Sequence, residues 1–323
     1  MDLALEKIRL PLRVNWKISR NSTSEKENYI VTLREDEFTA RSEIAPNIRY
    51  GETHEIIERQ FEEFRSSIND FNTFEKILDA PHWKHSLRFA LESAWISLTA
   101  QQRGQTLHDY LQAPPPFPLA TSMSVPIMDP TEVAAYLENL KGFPAYKIKV
   151  NQESAWDMVQ AVAAAAPGVL LRVDGNEAWT DLSDFLRFQD KLKGLPIEFI
   201  EQPFPAARKD MYQDLHARTP YIVMADESIE DTDNLAELAT MFRAVNIKLM
   251  KTGSLIKGRD FLIKARAHGL KTMVGCMVET SLGISYAMHL GAWMDWADLD
   301  GFLLLKEDPF RLVSEKNGIL QLS

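Results

Sequence analysis

Four apolar runs in the middle of this chain each end in charge: LLRVDGN with Asp174 and Asn176, IEFIEQP with Glu201, YIVMADES with Asp226 and Glu227, and VNIKLMKTG with Lys248 and Lys251. Each run has the length of one buried strand, and helical segments separate them, so the unit is strand, charged tip, helix. From Leu119 onward the unit repeats at roughly 25-residue intervals, the spacing of strand-plus-helix units. Strands are expected at Ala120 to Pro126, Ala145 to Val150, Leu170 to Asp174, Ile197 to Glu201, Tyr221 to Ala225, Val245 to Lys248, Thr272 to Val278 and Ala297 to Leu304. Helical spacing falls between them, including Thr131 to Leu140, Glu153 to Ala165, Leu182 to Leu192, Leu255 to His268 and Leu282 to Trp293. Such alternation makes a parallel sheet, and eight units close it into a barrel. No full helix follows the eighth strand, and Phe310 to Leu322 reads as a turn and strand returning to the first domain. The expected class is α/β, a modified TIM barrel of the (β/α)7β kind.

What precedes the barrel has a different rhythm. Ile8, Leu10, Leu12, Val14, Trp16 and Ile18 alternate with polar residues, the mark of a strand with one buried face. Pro11 places that strand at a sheet edge, because proline cannot donate to a ladder. Tyr29 to Leu33 and Phe38 to Ser42 would complete a small antiparallel sheet. In Leu87, Ala90, Leu91, Ala94, Trp95 and Leu98 the apolar residues fall three and four apart, which gives one buried helical stripe. Glu55 to Ile68 is a second, more polar helix. Ala113 to Pro118 holds four prolines in six residues and cannot continue a helix. The division expected is therefore an α+β domain over 1–113, the barrel over 114–305, and a tail over 306–323 that returns to the first domain.

Charge and composition narrow the partners. The net charge of −10, with no compensating basic block, disfavours nucleic acid and anionic membrane as partners and favours a small molecule. No apolar run reaches the roughly 18 to 20 residues of a membrane span. The opening MDLALEKIRLPLRV mixes charge into its apolar pattern, so no signal peptide is expected. A single cysteine, Cys276, allows no internal disulfide and fits a reducing, cytoplasmic setting. A homo-oligomer is compatible with all of this.

In a barrel of this type chemistry gathers at the C-terminal ends of the strands. Those ends carry Lys147 and Lys149, Asp174 and Asn176, Glu201, Asp226 and Glu227, Lys248, Glu279, and Asp298 and Asp300. Charge at the end of a buried strand must be paired or metal-bound, since burying it alone is costly. Asp174, Glu201 and Asp226 offer oxygen ligation only, which suits Mg²⁺ or Mn²⁺ and disfavours zinc. No histidine pair has the spacing of a metal site. Lys147 and Lys149 lie two apart on a strand and share a face. A lysine working as a base near neutral pH needs its pKa reduced from about 10.4 to roughly 7 or 8, equivalent to about 3 to 5 kcal/mol. One like charge about 4 Å away supplies roughly 4 kcal/mol at an effective dielectric of about 20. The pair is therefore expected to lower the pKa of its working member, while Lys248, four strands on, faces Lys149 across the barrel mouth. Lys251, three residues further, reads as a solvent or supporting lysine.

Taken in order, YKIKV, RVDGN, FIEQP, MADES and NIKLMKTG resemble the enolase superfamily in its muconate-lactonizing subgroup, over essentially the whole chain. The resemblance implies an N-terminal α+β capping domain, completed by the C-terminal tail. It also implies one Mg²⁺ per subunit held by Asp174, Glu201 and Asp226, with Asn176 and Glu227 beside them. The ion would stabilise an enediolate formed when a substrate loses its α-proton. Carried over, Lys149 is the base on one face, Lys147 tunes it, and Lys248 is the acid or base on the other. ADLDG resembles the paired aspartates of dipeptide epimerases, which implies that Asp298 and Asp300 grip a substrate ammonium. IRYGET, with Tyr50, and GCMVET, with Glu279, resemble that branch too, and Arg20 could meet a substrate carboxylate. The resemblance leaves other reactions of the subgroup open: muconate cycloisomerase, o-succinylbenzoate synthase and N-acylamino acid racemase.

Overall fold

The computed structural model of the protein describes residues 1–18, 22–68, 71–229 and 234–323. Strands β1 (Asp2–Lys17), β2 (Ser22–Glu35) and β3 (Phe38–Ile44) form an antiparallel sheet in that order. β1 is an edge strand, and Pro11 lies on it with its ring exposed, as the missing N–H requires. Asp36, with φ of 52°, makes the tight turn into β3. Helices α1 (His54–Ser67), α2 (Phe71–Leu78), α3 (His85–Gln102) and the short α4 (Leu107–Tyr110) follow.

The α3 helix departs from the single stripe that its spacing predicts. Leu87, Ala90, Leu91 and Ala94 pack with the N-terminal sheet, while Phe89 on the opposite side joins the barrel core. A helix buried on both faces lies between two layers rather than on a surface. Removing Leu91 to alanine would cost about 2–5 kcal/mol, the range for a fully buried leucine.

After the proline-rich linker comes β4 (Leu119–Ala120), then the barrel strands β5 (Ser122–Val125), β6 (Ala145–Lys149), β7 (Leu170–Asp174), β8 (Ile197–Glu201), β9 (Val223–Ala225), β10 (Ala244–Lys248), β11 (Lys271–Gly275) and β12 (Trp296–Asp298). They pair in parallel in sequence order. A parallel bridge from Thr121 to Ala297 and a bond from Leu299 N to Thr121 Oγ1 (2.9 Å) draw the two ends together into a nearly closed ring. Between strands run α5 (Val133–Glu138), α6 (Ala155–Ala165), α7 (Leu182–Lys191), α8 (Lys209–Arg218), α9 (Leu235–Met241), α10 (Leu249–Thr252), α11 (Leu255–Ala267) and α12 (Ser281–Met288). β12 is followed only by a 3-10 turn, Gly301–Leu304, where the sequence pattern predicts further strand. A side chain at Gly301 would strike Met277 O, so the chain is pressed against the neighbouring strand end and bends there.

The tail forms β13 (Val313–Lys316) and β14 (Ile319–Leu322), which pair with β4 in a third small sheet. The tail strands thus add to the strand that leads into the barrel, and contact with the N-terminal sheet is made just before them. There Leu12 bridges Leu305, and Lys306 N donates to Pro11 O at 2.8 Å. Two buried glutamates fasten the N-terminal layer to barrel helices. Glu92 of α3 accepts from Ser254 Oγ and Leu255 N at the start of α11, and Glu43 of β3 accepts from Thr280 N and Oγ1 and from Gly283 N at the start of α12. Carboxylates at helix N-termini satisfy orphan donors and complement the dipole. No helix among the described residues is long and apolar enough to cross a membrane.

Candidate active site

The strand tips open into one cavity of about 550 Å³ between the barrel mouth and the N-terminal sheet. Trp16, Lys26, Ile48, Arg49 and Tyr50 line it from the N-terminal side. Lys147, Lys149, Asn176, Asp226, Glu227, Lys248, Asp298 and Asp300 line it from the barrel. Asp174 and Glu201 lie at its floor, fully buried and bonded to the lysines that line it.

Lys147 stands at the centre of the charge network. Its Nζ lies 2.7 Å from Asp298 Oδ2, 2.8 Å from Glu201 Oε2 and 3.0 Å from Asp174 Oδ2. Lys149 donates to the same Asp174 oxygen at 2.6 Å, so two ammonium groups share one acceptor, as two lysines on one strand face should. Lys248 donates to Asp226 Oδ2 at 2.8 Å. Lys251 is buried rather than solvated: it donates to Asp226 Oδ1 at 2.7 Å and to Asp226 O at 2.6 Å.

The carboxylates decide the pKa values of Lys147 and Lys248. Burial pulls the Lys147 ammonium down, but Asp174, Asp298 and Glu201 hold it well above the usual lysine range. Burial acts likewise on Lys248, and Asp226 holds it high. At Lys147 the attraction of the carboxylates therefore outweighs the repulsion from neighbouring ammonium groups, Lys149 and Lys248. In return, Lys147 and Lys149 hold Asp174 below the carboxylate range against its burial, and Lys248 and Lys251 do the same for Asp226. Glu201 is pushed up to about 7, by burial first and then by the Asp174 charge.

Asp174, Glu201 and Asp226 end β7 and β8 and follow β9, three adjacent strands, and they present hard oxygen donors to one region. Glu201 Oε2 accepts no aligned hydrogen bond among the described residues, although Lys147 Nζ is close to it. Among the described residues, no three acidic, histidine or cysteine side chains are gathered as a ready metal cage, and a lysine ammonium pairs with each of the three carboxylates. The donor set nevertheless fits a hard divalent cation, which could replace positive charge that the lysines now supply. Asn176 donates its own N–H to Asp174 Oδ1 at 3.0 Å and its Nδ2 to Glu227 Oε1 at 3.2 Å, so this pair braces the β7 and β9 tips.

Asp298 and Asp300 both line the cavity, yet both also close the barrel seam. Asp298 accepts from Ser122 Oγ at 2.7 Å and from Lys147, and Asp300 accepts from Ser124 N at 2.6 Å. Glu279 departs from expectation: it does not line the cavity. It lies behind the strand end, accepts from Met277 N at 2.8 Å and is pushed up to about 8 by burial and by Glu43. A Cβ on Gly283 would fall 2.5 Å from Glu279 Oε2 and 3.1 Å from Glu43 Oε2, which places the two carboxyls around one point. Tyr50 lies on the cavity wall, with Lys251 Nζ 5.7 Å from its ring centre. Arg20 lies outside the described residues.

Sequence patterning does not single out three further groups. Gln202, fully buried, accepts from Asp226 N at 2.9 Å and Ser228 N at 3.1 Å and donates to Tyr212 Oη, so it fixes the turn that carries Asp226. Asn246 donates to Glu201 Oε1 at 2.8 Å. Arg49 meets Glu177 across the mouth. The only local signal for any of them is that Asn246 is polar inside an otherwise apolar run and that Gln202 directly follows Glu201.

Residues 131–305 match the family described as Enolase C-terminal domain-like. The chain is 30% identical to an L-Ala-D/L-amino acid epimerase of Flavobacterium johnsoniae, over 100% of this chain and 97% of the other. It is 33% identical to the L-Ala-D/L-Glu epimerase of Escherichia coli (strain K12), over 97% of each. Its fold superposes with a TM-score of 0.89 on a dipeptide epimerase from Methylococcus capsulatus complexed with Mg and the dipeptide L-Arg-D-Lys, at 28% identity and covering 100% of this chain and 96% of that one.

Proposed function

The chain belongs to the enolase superfamily, and on that premise we propose that it is a dipeptide epimerase that uses Mg²⁺ and inverts the α-carbon of the C-terminal residue. The observation that carries this reading is the placement of two lysines. Lys149 ends β6 and Lys248 ends β10, four strands apart in an eight-stranded ring, and both line the same cavity. Amines approaching a carbon from opposite sides can take a proton from one face and deliver one to the other. A single amine would return it to the face it came from.

Asp174, Glu201 and Asp226 would hold the ion, one per subunit, with Mn²⁺ able to substitute. Bound there, Mg²⁺ supplies charge stabilisation to a substrate carboxylate as the α-proton leaves. To remove that proton Lys149 must be neutral while Lys248 is charged, and the reverse reaction exchanges the two roles. Lys147 stays protonated beneath them and balances the carboxylates. Asp298 and Asp300 bring two acidic groups to the cavity wall where the substrate ammonium would dock. That supports a dipeptide over the substrates of a muconate cycloisomerase or an o-succinylbenzoate synthase, which carry no ammonium, and over those of an N-acylamino acid racemase, whose α-nitrogen is acylated and uncharged.

The test is incubation of the enzyme and Mg²⁺ with a dipeptide library in D₂O. Deuterium should enter the α-carbon of the C-terminal residue as both epimers accumulate. Turnover of N-acylamino acids or unsaturated diacids, with no exchange into any dipeptide, would overturn the assignment.

A further inference from the structure

A barrel interior is built in layers of four side chains drawn from alternate strands, and branched apolar residues ordinarily fill them. In this barrel the layer beneath the cavity is polar. It consists of Lys147 from β6, Glu201 from β8, Asn246 from β10 and Asp298 from β12, linked by Lys147 to Glu201 (2.8 Å), Lys147 to Asp298 (2.7 Å) and Asn246 to Glu201 (2.8 Å). Three of the four are charged and belong to the ion network already described. Asn246 is the neutral member, fully buried, at a position that a branched apolar residue ordinarily fills in such a layer.

We propose that Asn246 is a positioning residue that fixes the Glu201 carboxylate for metal binding: its amide N–H₂ pins Oε1 and leaves Oε2 directed at the Lys147 side of the network. Three features support it. The amide orientation is determined by the site, since only the N–H₂ end can face a carboxylate, and Oδ1 is left with no hydrogen-bond partner among the described residues. A buried amide that gives up one of its own bonds is retained for what its other end holds. Space for it is also provided: a Cβ on Gly275 of the neighbouring strand would lie 2.7 Å from Asn246 Oδ1, so glycine there admits the amide. Finally, Glu201 has no other hydrogen-bond donor on Oε1 among the described residues, so losing Asn246 frees the side chain to rotate away from Asp174 and Asp226. Outer partners of this kind commonly change metal affinity about 10- to 100-fold.

The proposal rests on the reading of Glu201 as an Mg²⁺ ligand, and the experiment separates the two. Mn²⁺ binding is followed by electron paramagnetic resonance, and Mg²⁺ by its competition, in the substrate-free wild type and in Asn246→Leu and Asn246→Ala. Leucine restores the ordinary barrel residue and alanine opens space, so the two variants challenge the fold in opposite ways. Both should bind the ion about 10- to 100-fold more weakly with the fold retained, since a role confined to packing would leave affinity unchanged. Wild-type affinity in either folded variant would overturn the role of Asn246 alone. Failure of the wild type to bind either ion would overturn the metal reading and this proposal with it.

Discussion

Arg49 and Glu177 meet in a two-point ion pair, Nη1 to Oε2 at 2.7 Å and Nη2 to Oε1 at 2.8 Å, across the rim of the cavity. Arg49 rides on the turn Ile48–Tyr50 of the N-terminal layer, and Glu177, at φ of 68°, sits just past the β7 tip. Glu177 also accepts from Ala206 N at 2.8 Å, so one carboxylate joins the turn to two barrel loops. The same turn carries Tyr50 into the cavity wall. Arg49→Ala should therefore loosen this edge, raising KM for the dipeptide several-fold with a smaller change in kcat. Because the pair is partly exposed, wild-type KM should rise with salt while the variant's should respond less. Steady-state kinetics at low and high ionic strength checks both, and equal salt dependence would exclude the latch.

If Asp298 and Asp300 hold the substrate ammonium as proposed, Asp300 should set an acid limit on substrate capture. Burial, and then the Asp298 charge, push its pKa up to about 6. The group must be anionic to hold an ammonium, so its contribution is present above about 6 and lost as pH falls through that value. The substrate's α-amino group loses its charge above about 8. A plot of kcat/KM at saturating Mg²⁺ should thus be bell-shaped, with limbs near those values. Asp300→Asn should lower the maximum and remove the acid limb assigned here. A limb that persists unchanged in the variant assigns it to another group.

What the sequence made legible was local. The tips RVDGN, FIEQP and MADES could be read because strand, charge and helix follow one another within a few residues, and those residues do converge. Lys251 was harder to read. Three residues past Lys248 along the chain, it returns to the site because α10 begins at the strand end and brings the side chain one turn later onto Asp226. β12 ends at Asp298, short of what its pattern predicts, because Phe302 to Leu304 is apolar enough for a strand but the close approach of Gly301 to Met277 O bends the chain away. Glu279 ends a strand-like run, yet its side chain turns toward Glu43, 236 positions away, a pairing no local pattern encodes. The Arg49–Glu177 pair, 128 residues apart, is of the same kind.

The Glu279 and Glu43 carboxyls should make stability depend on pH. Burial, and then Glu43, push Glu279 up to about 8 from its ordinary value of 4.5. The folded state therefore binds a proton that the unfolded state has released. Its stabilising effect is complete below about 4.5 and is lost as pH rises toward 8, with a slope of at most about 1.4 kcal/mol per pH unit for this one group. Glu279→Gln keeps the shape and removes the titration. Denaturant unfolding between pH 5 and 8 should show a smaller decline for the variant, and parallel curves would sink the assignment.

The last prediction concerns the two lysines on opposite strands. With Lys248→Ala, Lys149 still reaches one face of the α-carbon, so epimerisation should fall by several orders of magnitude. Exchange of the α-proton with D₂O should survive for one epimer only. Lys149→Ala should show the mirror result, retaining exchange for the other epimer. This pairing of outcomes tests geometry rather than mere loss of activity. A damaged site would lose exchange with both epimers, and a single-base enzyme would lose both in one variant and neither in the other. Since Lys248 is one of two lysines on Asp226, its removal also leaves that carboxylate with Lys251 alone. The Mg²⁺ requirement of each variant should therefore be measured first, with exchange compared at saturating ion. Exchange that stays complementary under those conditions assigns one face of the carbon to each lysine. Retention of full epimerisation by either variant would remove it from the proton path.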